Sequence, residues 1–323
     1  MNASKPNIGS ACLENLPSSG VYCEKVCNVV ITKSMFALTV FGLHKASIFE
    51  NLPFRFTLRF WITALGSLIT NMLHFHKNDA IYYSVFNVWG NGYHHWLTEV
   101  APKIMRFEND IRAGTLLLPE IVPRFAEEFF AMFGIVNVKR LKGNNFFKRV
   151  SLISNPRSGH YDPDLMAVLR TRIFERLKVT PKPMKRLYIT RRNARSRKVA
   201  NEGDVIALLE SFGFDCLDLE NFSFVEQVRW FAECEFLMSI HGAGLTNSIF
   251  MPTNGAVVEL FPLCVDREKE LNACYKRLAD ALGLQHSFFW CDRIETHEKF
   301  ALDTGDIKVN LSELETYLVA TLH

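Results

Sequence analysis

The segment Ser239-Ile-His-Gly-Ala-Gly-Leu-Thr-Asn247 has the composition of a loop that holds a phosphate group. It follows an apolar run typical of a strand, and its two glycines let the backbone of a helix start approach a ligand closely. His241 adds an imidazole that can donate to a phosphate oxygen. The segment fits neither the Walker pattern nor a full dinucleotide fingerprint, because Asn247 stands where the third glycine would be. A plain strand-to-helix turn is the alternative.

A basic stretch precedes this loop in the chain. Ten Lys and Arg residues and no Asp or Glu occur from Arg176 to Asn201, whereas the rest of the chain carries a net charge of −7. Arginines that follow a predicted strand can hold a diphosphate through paired donors. A solvated basic loop is the alternative interpretation.

Two carboxylates and a histidine complete the set of candidates. Glu259 ends a predicted strand, where a carboxylate can accept hydrogen bonds from a ribose or simply be solvated. His95 and Glu99 are four residues apart and share one helix face. A carboxylate fixes the tautomer of an imidazole, which suits a general base. His94 points about 100° away from His95, which disfavours a shared metal, and a structural histidine is the alternative for His95.

The elements that must position these residues alternate along the chain. Strands are predicted at Thr115–Leu118, Arg149–Ser154, Arg186–Thr190, Phe214–Leu217, Phe236–Ile240, Ala256–Leu260 and Gln285–Trp290. Helices are predicted at His94–Phe107, Pro123–Phe133, Pro163–Leu177, Gly203–Phe212, Ser223–Cys234, Leu245–Phe250, Glu268–Leu282 and Leu311–Leu322. This alternation indicates an α/β protein with mostly parallel sheets.

Proline and composition divide the chain further. Thr180-Pro-Lys-Pro183 marks a linker. We expect an arm over residues 1–27, an N-terminal domain over residues 28–180, and a C-terminal domain over residues 181–323. The last helix is a candidate for crossing back to the first domain.

Composition sets the class and the expected compartment. Hydrophobic residues make up 48% and charged residues 22%, which excludes a disordered or fibrous chain. The eight cysteines have no regular spacing, and residues 1–20 lack the apolar core of a signal peptide, so we expect reduced cysteines and a cytoplasmic location. Residues 60–75 are apolar but shorter than the roughly 20 residues of a membrane span. They predict a buried helix or one lying at the inner face of a membrane.

As an ordered set, these motifs resemble the family 61 glycosyltransferases. This family includes bacterial capsular-polysaccharide enzymes, plant xylosyl- and arabinosyltransferases, and animal protein O-linked N-acetylglucosaminyltransferases. The resemblance covers roughly residues 90–262. Its matching stretches are His95-Trp-Leu-Thr-Glu99 with Pro102, Leu187-Tyr-Ile-Thr-Arg191, Arg197 with Asn201-Glu202, Glu226-Gln227, His241-Gly-Ala-Gly-Leu-Thr-Asn247 with Phe250, and Val258-Glu-Leu260.

The resemblance implies a GT-B fold, in which two Rossmann-like domains face a cleft. It makes residues 28–180 the acceptor-side domain and residues 181–323 the nucleotide-sugar-binding domain. It implies transfer from a nucleoside-diphosphate sugar, most simply a UDP-sugar, to a glycan or other hydroxyl acceptor. Transfer would invert the anomeric carbon and need neither a metal nor another cofactor. We expect His95 to be the general base and Glu99 to orient it. The expected donor-binding residues are Arg191, Arg197, Asn201, Glu202, His241, Gly242, Ala243, Gly244, Leu245, Asn247 and Glu259.

Two other classes of protein compete with this interpretation. A nucleic-acid-binding protein would use the basic segment from residue 176 to 201, whose one aromatic residue, Tyr188, lies in an apolar predicted strand. A nucleotide- or glycan-binding relative without activity is the second. The sequence leaves open the sugar, the acceptor, the oligomeric state, and the choice between His94 and His95.

Overall fold

The computed structural model describes residues 21–48, 54–76, 80–156, 159–194, 196–263, 272–294 and 305–322. The chain forms two compact units. Unit 1 comprises Met1–Trp89, Arg106–Val122 and Asn137–Ser158, and unit 2 comprises Gly90–Met105, Pro123–Val136 and Gly159–His323. Most of the expected arm, Cys12, Cys264 and the first part of the expected helix Glu268–Leu282 lie outside the described residues.

This grouping differs from the domain boundary expected near residue 180. Residues 90–105, 123–136 and 159–180 belong to the same unit as the C-terminal part of the chain. The helix that carries His95 and Glu99 is therefore in the same compact unit as the loop at residues 241–247.

Unit 1 contains a mixed sheet with the strand order β3-β2-β1-β8-β5-β6-β7, and β4 pairs with β8. Strand β1 is antiparallel to β2 and β8, whereas β5, β6 and β7 are mutually parallel. The strands are β1 (Cys23–Ile31), β2 (Ala37–Thr39), β3 (Gly42–Leu43), β4 (Leu73–His76), β5 (Tyr82–Ser84), β6 (Thr115–Pro119), β7 (Val138–Leu141) and β8 (Asn144–Ile153). A short helix spans Glu108–Ala113.

Helix α1 (Phe54–Thr70) is the long helix of unit 1 and covers much of the apolar segment. Its buried residues are Phe60, Ala64 and Ser67, which recur at helical spacing and form one narrow face. Phe60 and Ala64 pack with Phe36 and other apolar residues of unit 1. Most of the other apolar side chains of α1 are exposed, so the expectation of a buried helix is wrong. Within the described ranges, no helix combines the length and the apolar character that crossing a membrane requires.

Unit 2 contains a sheet with the order β10-β9-β11-β12-β13-β14. Its first five strands are parallel and β14 is antiparallel to β13. The strands are β9 (Lys185–Ile189), β10 (Phe214–Leu217), β11 (Cys234–Ile240), β12 (Ala256–Pro262), β13 (Gln285–Arg293) and β14 (Ile307–Lys308). The strand order reverses between β9 and β11, and in doubly wound sheets ligands bind beside the carboxyl ends of the strands at this point.

The helices that begin in unit 2 confirm most of the predicted elements. They are α2 (Tyr93–His95), α3 (Ala101–Arg106), α4 (Arg124–Phe133), α5 (Pro163–Leu177), α6 (Glu202–Ser211), α7 (Phe224–Ala232), α8 (Cys274–Leu282) and α9 (Leu311–Leu322). The alternation of strands and helices therefore predicts the α/β class correctly. Helix α9, the candidate for crossing back, buries Leu314 and Leu318 in the core of unit 2.

Local sequence explains where several helices begin and end. The Ser223 side chain accepts from the Glu226 N–H, and the Glu226 carboxylate accepts from the Ser223 N–H at 2.7 Å, which is the predicted capping box. Asp162 accepts from the Leu165 N–H at 2.9 Å at the start of α5. Gly134 ends α4 with φ of 61°, in the left-handed region that favours glycine.

Asn201 fastens the C-terminal part of the chain to the loop after β9. Its side-chain amide donates to the Val309 carbonyl at 2.9 Å, and its Oδ1 accepts from the Val309 N–H at 3.0 Å. Both polar ends of the side chain are thus used by the backbone just before α9. The sequence places Asn201 in the donor site, whereas the structure gives it a structural role.

Replacing Asn201 with alanine removes both bonds and leaves the nearly buried Val309 backbone without these partners. We expect the free energy of unfolding to fall by about 1–3 kcal/mol, measured by chemical denaturation. Asn193→Ala is the control, because Asn193 makes one exposed side-chain bond, to Asp218. A loss for Asn201→Ala no larger than that of the control would contradict the structural role.

Candidate active site

A cavity of about 810 Å³ opens where the strand order of unit 2 reverses. All of its lining residues belong to unit 2. Its wall combines the backbone of the loop at residues 241–247, called the glycine loop below, with the side chains of Arg124 and Arg191, carboxylates and several aromatic rings. The lining residues that matter below are Tyr93, Phe125, Arg191, Ser196, Asp218, Glu220, Phe222, Phe224, Gln227, Gly242, Ala243 and Gly244.

Arg191 lies in the loop after β9, called the basic loop, and contacts the glycine loop. Its Nε donates to the Arg197 carbonyl and its Nη2 to the Ser196 carbonyl, each at 3.2 Å. A Cβ atom at Gly242 would lie 2.6 Å from Arg191 Nη1, so the Gly242 backbone and the guanidinium group are in close contact. Burial, with the Arg197 charge, lowers the pKa of Arg191 below its usual range. An anion in the cavity would stabilise this partly desolvated cation.

Glu202 holds the backbone of Arg191 in place. This nearly buried carboxylate accepts from the Arg191 N–H at 2.9 Å and from the Tyr188 hydroxyl at 3.1 Å. It was expected to bind the donor, but its contacts are with the strand and loop that carry Arg191. Arg197 has a left-handed backbone with φ of 58°, and its Nε is buried with no hydrogen-bond partner among the described residues.

The glycine loop opens the predicted short helix, which is a 3-10 helix and begins two residues earlier than predicted, at Ala243–Phe250. The Leu245 N–H donates to the Gly242 carbonyl at 3.0 Å, so it is used within the loop. Ala243 and Gly244 line the cavity together with Gly242. The N–H groups at a helix start favour an anion, which leaves Ala243 and Gly244 as the better candidates of this predicted set.

His241 and Glu259 form a buried cluster with His286. His241 Nδ1 is hydrogen-bonded to Glu259 Oε1, and His286 Nε2 lies 3.0 Å from Glu259 Oε2. Glu259 is fully buried and His241 is 4% exposed. With both carboxylate oxygens held by histidines, Glu259 does not face a ribose as the sequence suggested. It orients His241 at the base of the glycine loop.

Asn247 ties the glycine loop to helix α2. It is fully buried, accepts from the Tyr93 hydroxyl at 2.6 Å and donates to Gln227 Oε1 at 3.1 Å. Gln227 in turn donates to the carbonyls of Leu219 and Phe222 on the cavity wall. The side chain predicted to bind the donor therefore shapes the cavity through its neighbours.

The His94 ring is held between two hydroxyl groups. Its Nδ1 is 2.9 Å from the Thr246 hydroxyl and its Nε2 is 3.0 Å from the Tyr161 hydroxyl. Burial lowers the pKa of His94 to about 3, with the neighbouring His95 and His241 as smaller causes. The ring is therefore neutral at physiological pH, and both nitrogens are occupied by hydroxyl groups of unit 2.

His95 occupies a different environment one residue later. Its Nδ1 lies 2.8 Å from Glu99 Oε1, and its side chain is 34% exposed against 8% for Glu99. A π-helical turn, Trp96–Val100, starts directly after it, and such turns are frequent at functional sites. Lys103 is fully buried on the same helix, and burial lowers its pKa to about 7 while the Glu99 charge opposes this shift.

The basic segment from residue 176 to 201 is not a single charged surface. Arg176 donates to the Met132 carbonyl, Arg186 donates to the Phe212 carbonyl, and Lys185 lies over the Trp230 ring at 4.1 Å. Several of these cations are therefore engaged by backbone and aromatic groups of unit 2. Of the predicted pair, Arg191 reaches the cavity.

Sequence reasoning missed several residues of this site. Asp218 and Glu220 line the cavity after β10, and the rule that ligands bind at the carboxyl ends of strands could have found them. Tyr93 precedes the singled-out histidines, but its partner lies 154 residues away and no local pattern shows it. His286 falls in a predicted strand without any signal of its own. Gln227 and Thr246 stand in the matching stretches but have no role assigned from the sequence. Tyr161 and Tyr275, whose rings lie beside the ring of His94, were not singled out at all.

Comparison with known proteins gives one family. The model of the Glycosyltransferase 61 family matches residues 93–258, about half of the chain. The match begins at Tyr93 and includes the helix with His95 and Glu99, the basic loop and the glycine loop.

Individual relatives match a shorter part of the chain. The bovine protein O-linked-mannose beta-1,4-N-acetylglucosaminyltransferase 2 is 32% identical over 120 residues, which are 35% of this chain and 20% of the relative. The Xenopus tropicalis protein of the same name is 36% identical over 93 residues, 28% and 16% of the two chains. The EGF domain-specific O-linked N-acetylglucosamine transferase of Drosophila melanogaster is 31% identical over 121 residues, 35% and 22%.

The matched part spans about a fifth of the length of these curated relatives. The family match, by contrast, extends over about half of this chain and contains the residues around the cavity. On this basis the chain belongs to the glycosyltransferase 61 family.

Proposed function

We propose that this protein transfers a sugar from a nucleoside-diphosphate sugar, most simply a UDP-sugar, to a hydroxyl group of a glycan or another acceptor. The observation that carries the proposal is the contact of Arg191 with the glycine loop at the wall of the cavity. The names of the relatives make N-acetylglucosamine the first sugar to test. The GT-B fold is part of the proposal, and the doubly wound order of the unit 2 sheet supports it.

In this proposal the diphosphate binds between Arg191 and the N–H groups of Ala243 and Gly244. A cation and a helix start together stabilise the charge that develops on the leaving group, which is the role a metal has in other enzymes. We therefore propose that transfer does not depend on a metal.

The ribose and base would extend along the same cavity. Asp218 and Glu220 supply carboxylate oxygens at the end of β10, and such groups accept hydrogen bonds from ribose hydroxyls. Phe125, Phe222 and Phe224 give an apolar wall against which a base can pack. Asp218 and Glu220 thus replace Glu259 in the role that the sequence suggested.

Inversion at the anomeric carbon requires the acceptor to attack from the face opposite the diphosphate. We assign the general base to His95, because a hydrogen bond from its Nδ1–H group to Glu99 favours the tautomer that has its lone pair on Nε2. In the transfer step Nε2 takes the acceptor hydroxyl proton as the acceptor oxygen bonds to the anomeric carbon. The bond from that carbon to the phosphate oxygen breaks, and the diphosphate leaves with the electron pair.

The cytoplasmic location expected from the cysteines stays a prediction.

Arg191→Ala should weaken the binding of UDP at least tenfold, since it removes the cation beside the glycine loop; calorimetry measures this directly. Arg192→Ala is the matched control, because Arg192 is an exposed neighbour and should bind UDP like the parent. Arg191→Lys, which keeps the charge, should recover part of the affinity.

Turnover by the parent should survive a chelator such as EDTA.

The contrary outcomes are distinct. A parent protein that does not bind UDP would overturn the donor assignment. Equal affinity of the parent and Arg191→Ala would move the diphosphate elsewhere. Activity that is lost on chelation and restored by manganese or magnesium would show that a metal neutralises the leaving group.

His95→Ala should lose about 10²–10⁴-fold in turnover while it binds UDP like the parent. The substrate is the nucleotide sugar that a mass-spectrometric screen finds to be hydrolysed or transferred by the parent. His74→Ala, at an exposed histidine of unit 1, is the control and should retain full turnover. Near-parental turnover of His95→Ala would mean that another group, with Glu99 as the first candidate, is the base.

A further inference from the structure

Helix α1 carries an exposed apolar stripe that the donor site does not use. Successive helical residues are about 100° apart, so Phe54, Leu58, Ile62, Leu65 and Ile69 fall within an arc of about 80°. Their exposed fractions are 80%, 48%, 64%, 46% and 86%. The buried face of the same helix points in nearly the opposite direction. The helix is therefore apolar both toward unit 1 and away from it.

The neighbouring hairpin extends this surface. Val40 and Phe41, at the tip between β2 and β3, are 86% and 98% exposed. The backbone of Gly42 lies against the Trp61 ring, since a Cβ atom there would be 2.6 Å from that ring, so the tip is beside the helix. We call the set Val40, Phe41, Phe54, Leu58, Ile62, Leu65, Ile69 and Met72 the exposed apolar patch. A contiguous group of exposed apolar side chains marks an interaction site, whereas single exposed apolar residues are common on any protein surface.

The charges around the patch indicate what covers it. Helix α1 has no Asp or Glu, and its two charged residues, Arg55 and Arg59, are exposed along one edge of the stripe. Trp61 lies at the other edge and is partly exposed. An apolar stripe bordered by basic residues and tryptophan is typical of a helix that lies in the interface of a bilayer.

The charge of the whole unit favours the same partner. By sequence, unit 1 holds 15 Lys and Arg and 7 Asp and Glu residues, whereas unit 2 holds 22 and 27. The net positive charge of the protein thus belongs to the unit that carries the patch. If two copies met at this face, two units of net positive charge would repel each other. An anionic lipid surface would instead attract the positively charged unit.

We propose that the exposed apolar patch docks on the surface of an anionic lipid bilayer. Helix α1, with 17 residues and about 25 Å in length, lies parallel to the membrane plane. Its stripe enters the boundary between headgroups and acyl chains, and Arg55 and Arg59 contact lipid phosphates. This role is independent of the donor site, which lies in unit 2.

Co-sedimentation of the full chain with vesicles tests the proposal. The parent should bind vesicles containing about one third phosphatidylglycerol in phosphatidylcholine, bind pure phosphatidylcholine more weakly, and dissociate as salt increases. Leu58→Glu combined with Ile62→Glu should weaken binding at least tenfold. Arg55→Ala and Arg59→Ala should each reduce the preference for anionic vesicles about fivefold.

Val136→Glu is the matched control, because Val136 is 86% exposed in unit 2, outside the patch. It should bind vesicles like the parent, and a thermal unfolding transition like that of the parent shows that each variant is folded. Failure of the parent to bind either vesicle overturns the proposal, and so does unchanged binding of the Leu58 and Ile62 variant. A parent that sediments as a dimer, does not bind vesicles, and becomes monomeric on these substitutions would identify a subunit interface instead.

Discussion

The hydrogen bond from the Tyr93 hydroxyl to Asn247 Oδ1, at 2.6 Å, is the contact on which the rest of the site depends. Burial raises the pKa of Tyr93 far above its usual range, so the phenol keeps its proton and remains a donor. Asn247 is fully buried. If the bond broke, the Tyr93 hydroxyl and the Asn247 oxygen would each lose a hydrogen bond away from water, which is costly. Together with the contact of His94 with Thr246, this bond ties the helix that carries His95 to the loop beside Arg191. Through Gln227 the same connection reaches the loop after β10.

The environment divides two adjacent histidines into different roles. His94 is buried between two hydroxyl groups and stays neutral, which suits a residue that joins a helix to a loop. His95 is one-third exposed and paired with a carboxylate, which suits a residue that exchanges protons. A buried polar network of this kind holds a reactive group rigidly only when its members are satisfied. Glu259, between His241 and His286, has the same supporting function under the glycine loop.

The sequence predicts the elements of this protein better than their contacts. Periodicity and capping place strand β10 and helices α5 and α9 at their observed bounds, because these signals are local. Alternation along β12 cannot show what covers Glu259. That strand lies between β11 and β13, where a carboxylate is buried and must be paired. Asn201 and Asn247 likewise have partners over 100 residues away. Hydropathy marks the apolar segment of α1 but not which of its faces is covered.

A double-mutant cycle on Tyr93 and Asn247 tests the central claim directly. The free energies of unfolding of the parent, Tyr93→Phe, Asn247→Ala and the double variant yield the coupling between the two side chains. We predict a coupling of about 1–3 kcal/mol, since either single change already removes the bond and the second then removes little more. Pairing Tyr93→Phe with the distant Leu314→Ala should give additive effects. Additive effects for Tyr93 and Asn247 as well would contradict the account, because the two side chains would then not stabilise each other.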